Sequence, residues 1–158
     1  LFRAGRQPVP DVPARRWPAN LALGLLLGAI LGGLGARAAL RGGPWRRAFN
    51  LSVALYGVLS GLFGSLLVYV WAFSDHLVAH ENANLLLTSP LNLIAGVAYG
   101  CSTARWARAV WIALGAGAAL LVVLWSLGLG IHQDVSLSAA LFAPVQISLA
   151  LLFLVTQR

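Results

Sequence analysis

Few residues of this chain carry groups that could do chemistry. Asp11, Asp75, Glu81 and Asp134 are all its acids, His76, His80 and His132 all its histidines, and Cys101 its one thiol. The stretch 73–93, FSDHLVAHENANLLLTSPLNL, holds two His, two acids and three Asn. If it runs on as a helix to Asn84, then His76, His80 and Asn84 share one stripe at i, i+4, i+8. Neutral imidazoles four apart on a helix can both reach one metal ion. The same HxxxH spacing occurs within the HExxH motif of thermolysin-like enzymes, but here Glu81 follows the second His, so the general base is missing from its place. His132 and Asp134 could complete a site from another loop. At a membrane surface these residue types also cap helix ends and bind headgroups or water. The expectation is therefore one polar cluster of Asp75, His76, His80, Glu81, Asn82, Asn84, His132 and Asp134. It is read as structural, with no metal, cofactor or catalytic residue assigned.

The elements that must position this cluster follow from composition. Of 158 residues, 59% are apolar and 9% charged, and mean hydropathy is +0.83. Soluble domains have about 25% charged residues, so this chain lacks the polar surface of a soluble enzyme. A single Cys excludes an internal disulfide and a CxxC metal site. At about 20 apolar residues per crossing, five spans are expected: Leu21–Leu40, Phe49–Phe73, Leu85–Thr103, Ala107–Ile131 and Leu137–Thr156. The fold class is an all-α, polytopic transmembrane helical bundle. The third span is the weakest, because Pro90 and Asn92 fall near its start. It is either a short crossing or part of a re-entrant segment, and irregular backbone at such depth must be buried in protein or wet.

The net charge of +7 comes from 11 basic residues, all of them Arg. Their placement speaks against nucleic acid. Arg37, Arg41, Arg46 and Arg47 separate the first two spans, Arg105 and Arg108 separate the third and fourth, and Arg158 ends the chain. Basic loops beside apolar spans stay cytoplasmic. With the N-terminus outside and the C-terminus inside, seven Arg fall inside and four, Arg3, Arg6, Arg15 and Arg16, outside. Every acid and every His then falls on the outer side. Residues 1–18 are polar and Pro-rich and read as a linker from an upstream domain; 19–158 form the membrane domain. The absence of any Met fits a fragment of a longer chain.

Small residues should pack these spans. Gly24, Gly28 and Gly32 are expected to face a neighbouring helix of the same chain, as are Gly57 and Gly61, with Ser60 and Gly64 beside them, and Gly96 and Gly100. The six Trp, with Tyr69, read as an aromatic belt at the span ends. Ser89-Pro90 suits a helix entry, Ser as N-cap and Pro at the first helical position. Asn82, Asn84 and Asn92 suit tying the preceding turn to it. Cys101, near the inner end of the third span, reads as a small packing residue.

Asp75-His76, Asn82-x-Asn84-Leu85-Leu86 and Pro90-Leu91, together with the span layout, resemble the membrane part of bacterial Lnb-type proteins. That family carries an N-terminal periplasmic domain of papain-like type ahead of several spans, and includes proteins that move acyl chains on lipoproteins. The resemblance implies a bacterial inner-membrane anchor that holds a periplasmic acyltransferase- or hydrolase-like domain at the outer leaflet. Its implied partners are the lipid bilayer, the upstream domain and a lipid or lipoprotein. The family's catalytic residues belong to the periplasmic domain, so none is carried over. Two other classes stay open: a metal- or haem-binding redox subunit using the outer-face histidines, and a small transporter subunit.

Overall fold

The computed structural model describes residues 17–73, 83–102, 105–129 and 135–156. Five α-helices account for most of them: α1 Trp17–Arg41, α2 Gly43–Phe73, α3 Pro90–Ser102, α4 Arg105–Ser126 and α5 Ser136–Val155. A 3₁₀ turn, Ala83–Leu86, precedes α3. Counting that turn with α3, five segments are long and apolar enough to cross a membrane. The chain is a polytopic membrane protein with an all-α fold among the described residues.

Helix ends follow local chemistry. The α1–α2 connection is a single residue, Gly42. Gly42 and Gly43 both adopt positive φ, 62° and 52°, a conformation open to Gly without strain. Gly42 N–H caps α1 by donating to Ala38 O at 3.0 Å. Pro44 then sits in the first turn of α2, where its missing N–H costs nothing. This starts α2 six residues before the expected Phe49. At the far end of α4 the correction runs the other way: the helix stops at Ser126 and not at Ile131. Gly128 takes φ 67°, with Gly128 N–H on Trp125 O at 3.0 Å and Leu129 N–H on Leu124 O at 2.9 Å. These two bonds form a Schellman cap, which ends the helix whatever the hydropathy beyond.

The helices close a ring in chain order, α1 against α2, α2 against α3, α3 against α4, α4 against α5, and α5 back against α1. An odd number of alternating helices makes α1 and α5 parallel neighbours. Leu31, Phe49, Val53, Tyr99, Trp111, Leu149 and Phe153 fill one core. Leu87, Ala118, Leu121, Val135, Ala139 and Ala143 fill a second, closer to the start of α5.

Lipid tails do not drive helices together by hydrophobicity, so close backbone packing must. Gly24 lies on the carbonyls of Ala140 and Leu141, and Gly28 on Pro144 O and Ser148 Oγ. Gly32 is a correction: nothing of the chain stands within 4 Å of where its Cβ would be. At 3.6 residues per turn a strict four-residue repeat drifts by about 40° per step. The buried face of α1 is Gly24, Gly28, Leu31, Gly35 and Ala38, alternating fours and threes, and it leaves Gly32 behind. On α2, Gly57, Gly61 and Gly64 all face the chain around α3.

These contacts set a test. A Cβ on Gly64 would collide with Thr88 O, a backbone atom. Gly64→Leu should cost at least about 2–3 kcal/mol, the upper range for overpacking, or prevent assembly. Gly32→Leu should stay within about 0.5 kcal/mol of the parent. Thermal unfolding in one detergent compares them, and equal losses would refute the assigned faces.

Candidate functional site: an interrupted third span

α3 has 13 residues, which at 1.5 Å each reach about 20 Å, short of the roughly 30 Å hydrocarbon core. The third crossing is completed by non-helical chain. The 3₁₀ turn Ala83–Leu86 and residues 87–89 run between α2, α4 and α5, and Leu87 and Thr88 are fully buried. α3 is a short helix preceded by a 3₁₀ turn and irregular backbone inside the protein. Such backbone must find its hydrogen bonds from the protein around it.

Side chains of α3 and α5, and the segment's own N–H and hydroxyl groups, supply them. Leu87 O accepts from Asn92 Nδ2 at 3.3 Å and from Gln146 Nε2 of α5. Asn92 Nδ2 also donates to Ser60 Oγ of α2 at 3.0 Å, and Ser60 donates onward to Tyr56 O at 2.7 Å. Asn84 O takes three donors, Leu87 N–H at 3.0 Å, Thr88 N–H at 2.9 Å and Thr88 Oγ1 at 2.9 Å. The Asn84 side chain accepts from Ser138 Oγ of α5. Ser89 Oγ accepts from Leu91 N–H at 3.2 Å, so Ser89 is the N-cap and Pro90 the first residue of α3, as its sequence suggests. Asn92 ties the turn to the start of α3, as expected, whereas the Asn84 side chain ties it to α5.

Of the sequence-predicted cluster, Asn84 alone is among the described residues, and its side chain meets α5. Asp75, His76, His80, Glu81, Asn82, His132 and Asp134 lie outside them. Among the described residues no three His, Cys, Asp or Glu come together. Cys101 is exposed rather than packed, because the buried face of α3 is Asn92, Ala95, Gly96 and Tyr99 and Cys101 falls off it. Trp111 is also a correction. It is fully buried in the core, tilted against Tyr56 with ring centroids 5.8 Å apart, and does not face the membrane surface.

Sequence reading missed Gln146, Ser60 and Ser138 as partners of the interrupted span. A signal was present for Gln146, an amide in the middle of an apolar run, where polar groups are costly unless paired. Beside it lies the Tyr56 hydroxyl, without a well-formed hydrogen bond. Asn92 Oδ1, Gln146 Oε1, Tyr56 OH and Trp111 Nε1 are buried and unpartnered. Among the described residues this interior offers amides, hydroxyls and an indole N–H.

The interior network has measurable coupling. Asn92→Ala and Ser60→Ala should each destabilise the bundle, and together by less than their sum, with a coupling of about 0.6–1.7 kcal/mol, the range for hydrogen bonds between membrane helices. Gln146→Leu should lower the melting temperature even though it makes α5 more apolar. A raised melting temperature would mean that the Leu87 carbonyl needs no donor from α5.

The family model for the Lnb transmembrane domain matches residues 29–157. No curated protein and no solved structure matches the chain. The matched stretch takes in most of α1, all of α2 to α5 and the whole interrupted span with its polar partners, and the chain belongs to the Lnb transmembrane-domain family.

Proposed function

We propose that this bundle is the membrane anchor of a bacterial envelope protein. It sits in the inner membrane, N-terminus out and C-terminus in, and holds a periplasmic acyltransferase- or hydrolase-like domain at the outer leaflet. One observation carries the reading. All six arginines among the described residues, Arg37, Arg41, Arg46, Arg47, Arg105 and Arg108, lie near the helix ends at one end of the ring, while α1 begins at the other. The cytoplasmic side retains basic loops, so chain ahead of Trp17 belongs on the opposite side. Membership in the Lnb transmembrane family supports a partner domain there. The interior polar groups fit the same reading, since they support the backbone of the interrupted span. The outer segment with Asp75, His76, His80, Glu81, Asn82, His132 and Asp134 is then the polar seat of that domain, in contact with lipid or lipoprotein.

Orientation is tested by cysteine labelling in a Cys101→Ser background. Leu127→Cys, beyond α4, should react with a membrane-impermeant maleimide on intact spheroplasts. Ser102→Cys, at the Arg end, should react only after permeabilisation, and the reverse pattern would overturn the topology. In the full-length protein, His76→Ala should leave insertion intact while lowering the activity of the preceding domain or the melting temperature. Unchanged activity together with unchanged stability would remove the polar seat from the proposal.

A further inference from the structure

At the Arg end the five helices surround a cavity of about 540 Å³. Arg46 from α2 and Arg108 from α4 line it, with Asn50, Tyr99 and Thr156 as its other polar side chains. The charges of both arginines bear on the Tyr99 phenol, so they converge on one volume from two sides. Neither has a carboxylate partner among the described residues, since no acid occurs in that part of the chain. Arg37 is engaged elsewhere, its guanidinium 5.0 Å above the Trp45 ring. The Asn50 Oδ1 acceptor is buried and unpartnered. The opposite wall is small and apolar, Gly35 and Ala38 of α1 with Leu152 of α5, and the rim at Ala39 and Val155 is exposed.

Two guanidinium groups facing one cavity repel each other unless an anion sits between them, and phosphate oxygens match their planar fork. An unpartnered buried acceptor beside them calls for a hydroxyl donor. An apolar wall with an exposed rim, on a helix bundle in a bilayer, suits an acyl chain. Basic pockets between membrane helices on the cytoplasmic side bind anionic headgroups.

We propose that this cavity is a binding site for an anionic phospholipid with a hydroxyl-bearing headgroup. Arg46 and Arg108 hold the phosphate, Asn50 Oδ1 accepts from a headgroup hydroxyl, and a chain leaves along Ala39 and Val155. The site goes beyond the anchoring reading; its place on the cytoplasmic side rests on the orientation proposed there, while binding in detergent tests the cavity itself.

The test is thermal unfolding of the purified chain in detergent, titrated with phosphatidylglycerol, phosphatidylcholine or inorganic phosphate. Phosphatidylglycerol should raise the melting temperature in a saturable way, and the other two should not. Arg46→Gln with Arg108→Gln should weaken that response about tenfold or more, the scale for losing charge-assisted hydrogen bonds. Arg47→Gln with Arg105→Gln removes the same charge outside the cavity and should leave it intact. Equal weakening by both pairs would mean diffuse attraction and overturn the site. Full stabilisation by inorganic phosphate would assign the arginines to a free anion and overturn the lipid. If the first pair does not fold, Ala39→Phe narrows the rim without changing charge and should abolish the response; a retained response would refute the site.

Discussion

Inside a bilayer a carbonyl freed from its helix must find a donor in the protein, and the rest of this fold is arranged around one such group, Leu87 O. It lies where the third crossing stops being helical. Asn92 reaches it from the start of α3 and Gln146 from the middle of α5. Those two amides fix the register of both helices against the irregular segment. Ser60 extends the same set onto α2. A group that would be costly in hydrocarbon becomes the junction that joins three helices.

The glycines serve this junction. Gly57, Gly61 and Gly64 present bare backbone to Asn92 O, Leu93 N and Thr88 O respectively, and a larger side chain at any of them would push the interrupted span out of reach of its donors. On the other side of the ring, Gly24 and Gly28 let α1 sit directly on the carbonyls of α5. Close approach of α1 steadies the helix that carries Gln146. Packing and polar satisfaction are thus two descriptions of one arrangement.

The two ends of the bundle differ in kind. One carries all six arginines of the described residues and no acid among them. Every acid and histidine of the chain lies outside the described residues. A polarised placement of basic residues of this kind biases how a bundle sits in a bilayer.

Apolar run length and arginine placement alone determined that the chain is a five-span bundle, because the cost of burying charge in hydrocarbon is written residue by residue. Local chemistry was also legible: Ser89-Pro90 starts α3, and Asn92 ties the turn before it. Tertiary structure decided what depends on angle and on neighbours. Gly32 left the packing face because a four-residue repeat drifts around a 3.6-residue helix, and Trp111 entered the core because its face of α4 turns inward. Most of all, the partnership of Gln146 with Leu87, 59 residues apart in sequence, could not be read from either segment. An unsatisfied carbonyl and a costly amide are each visible in a sequence only as a need, and only the closed ring brings the two together.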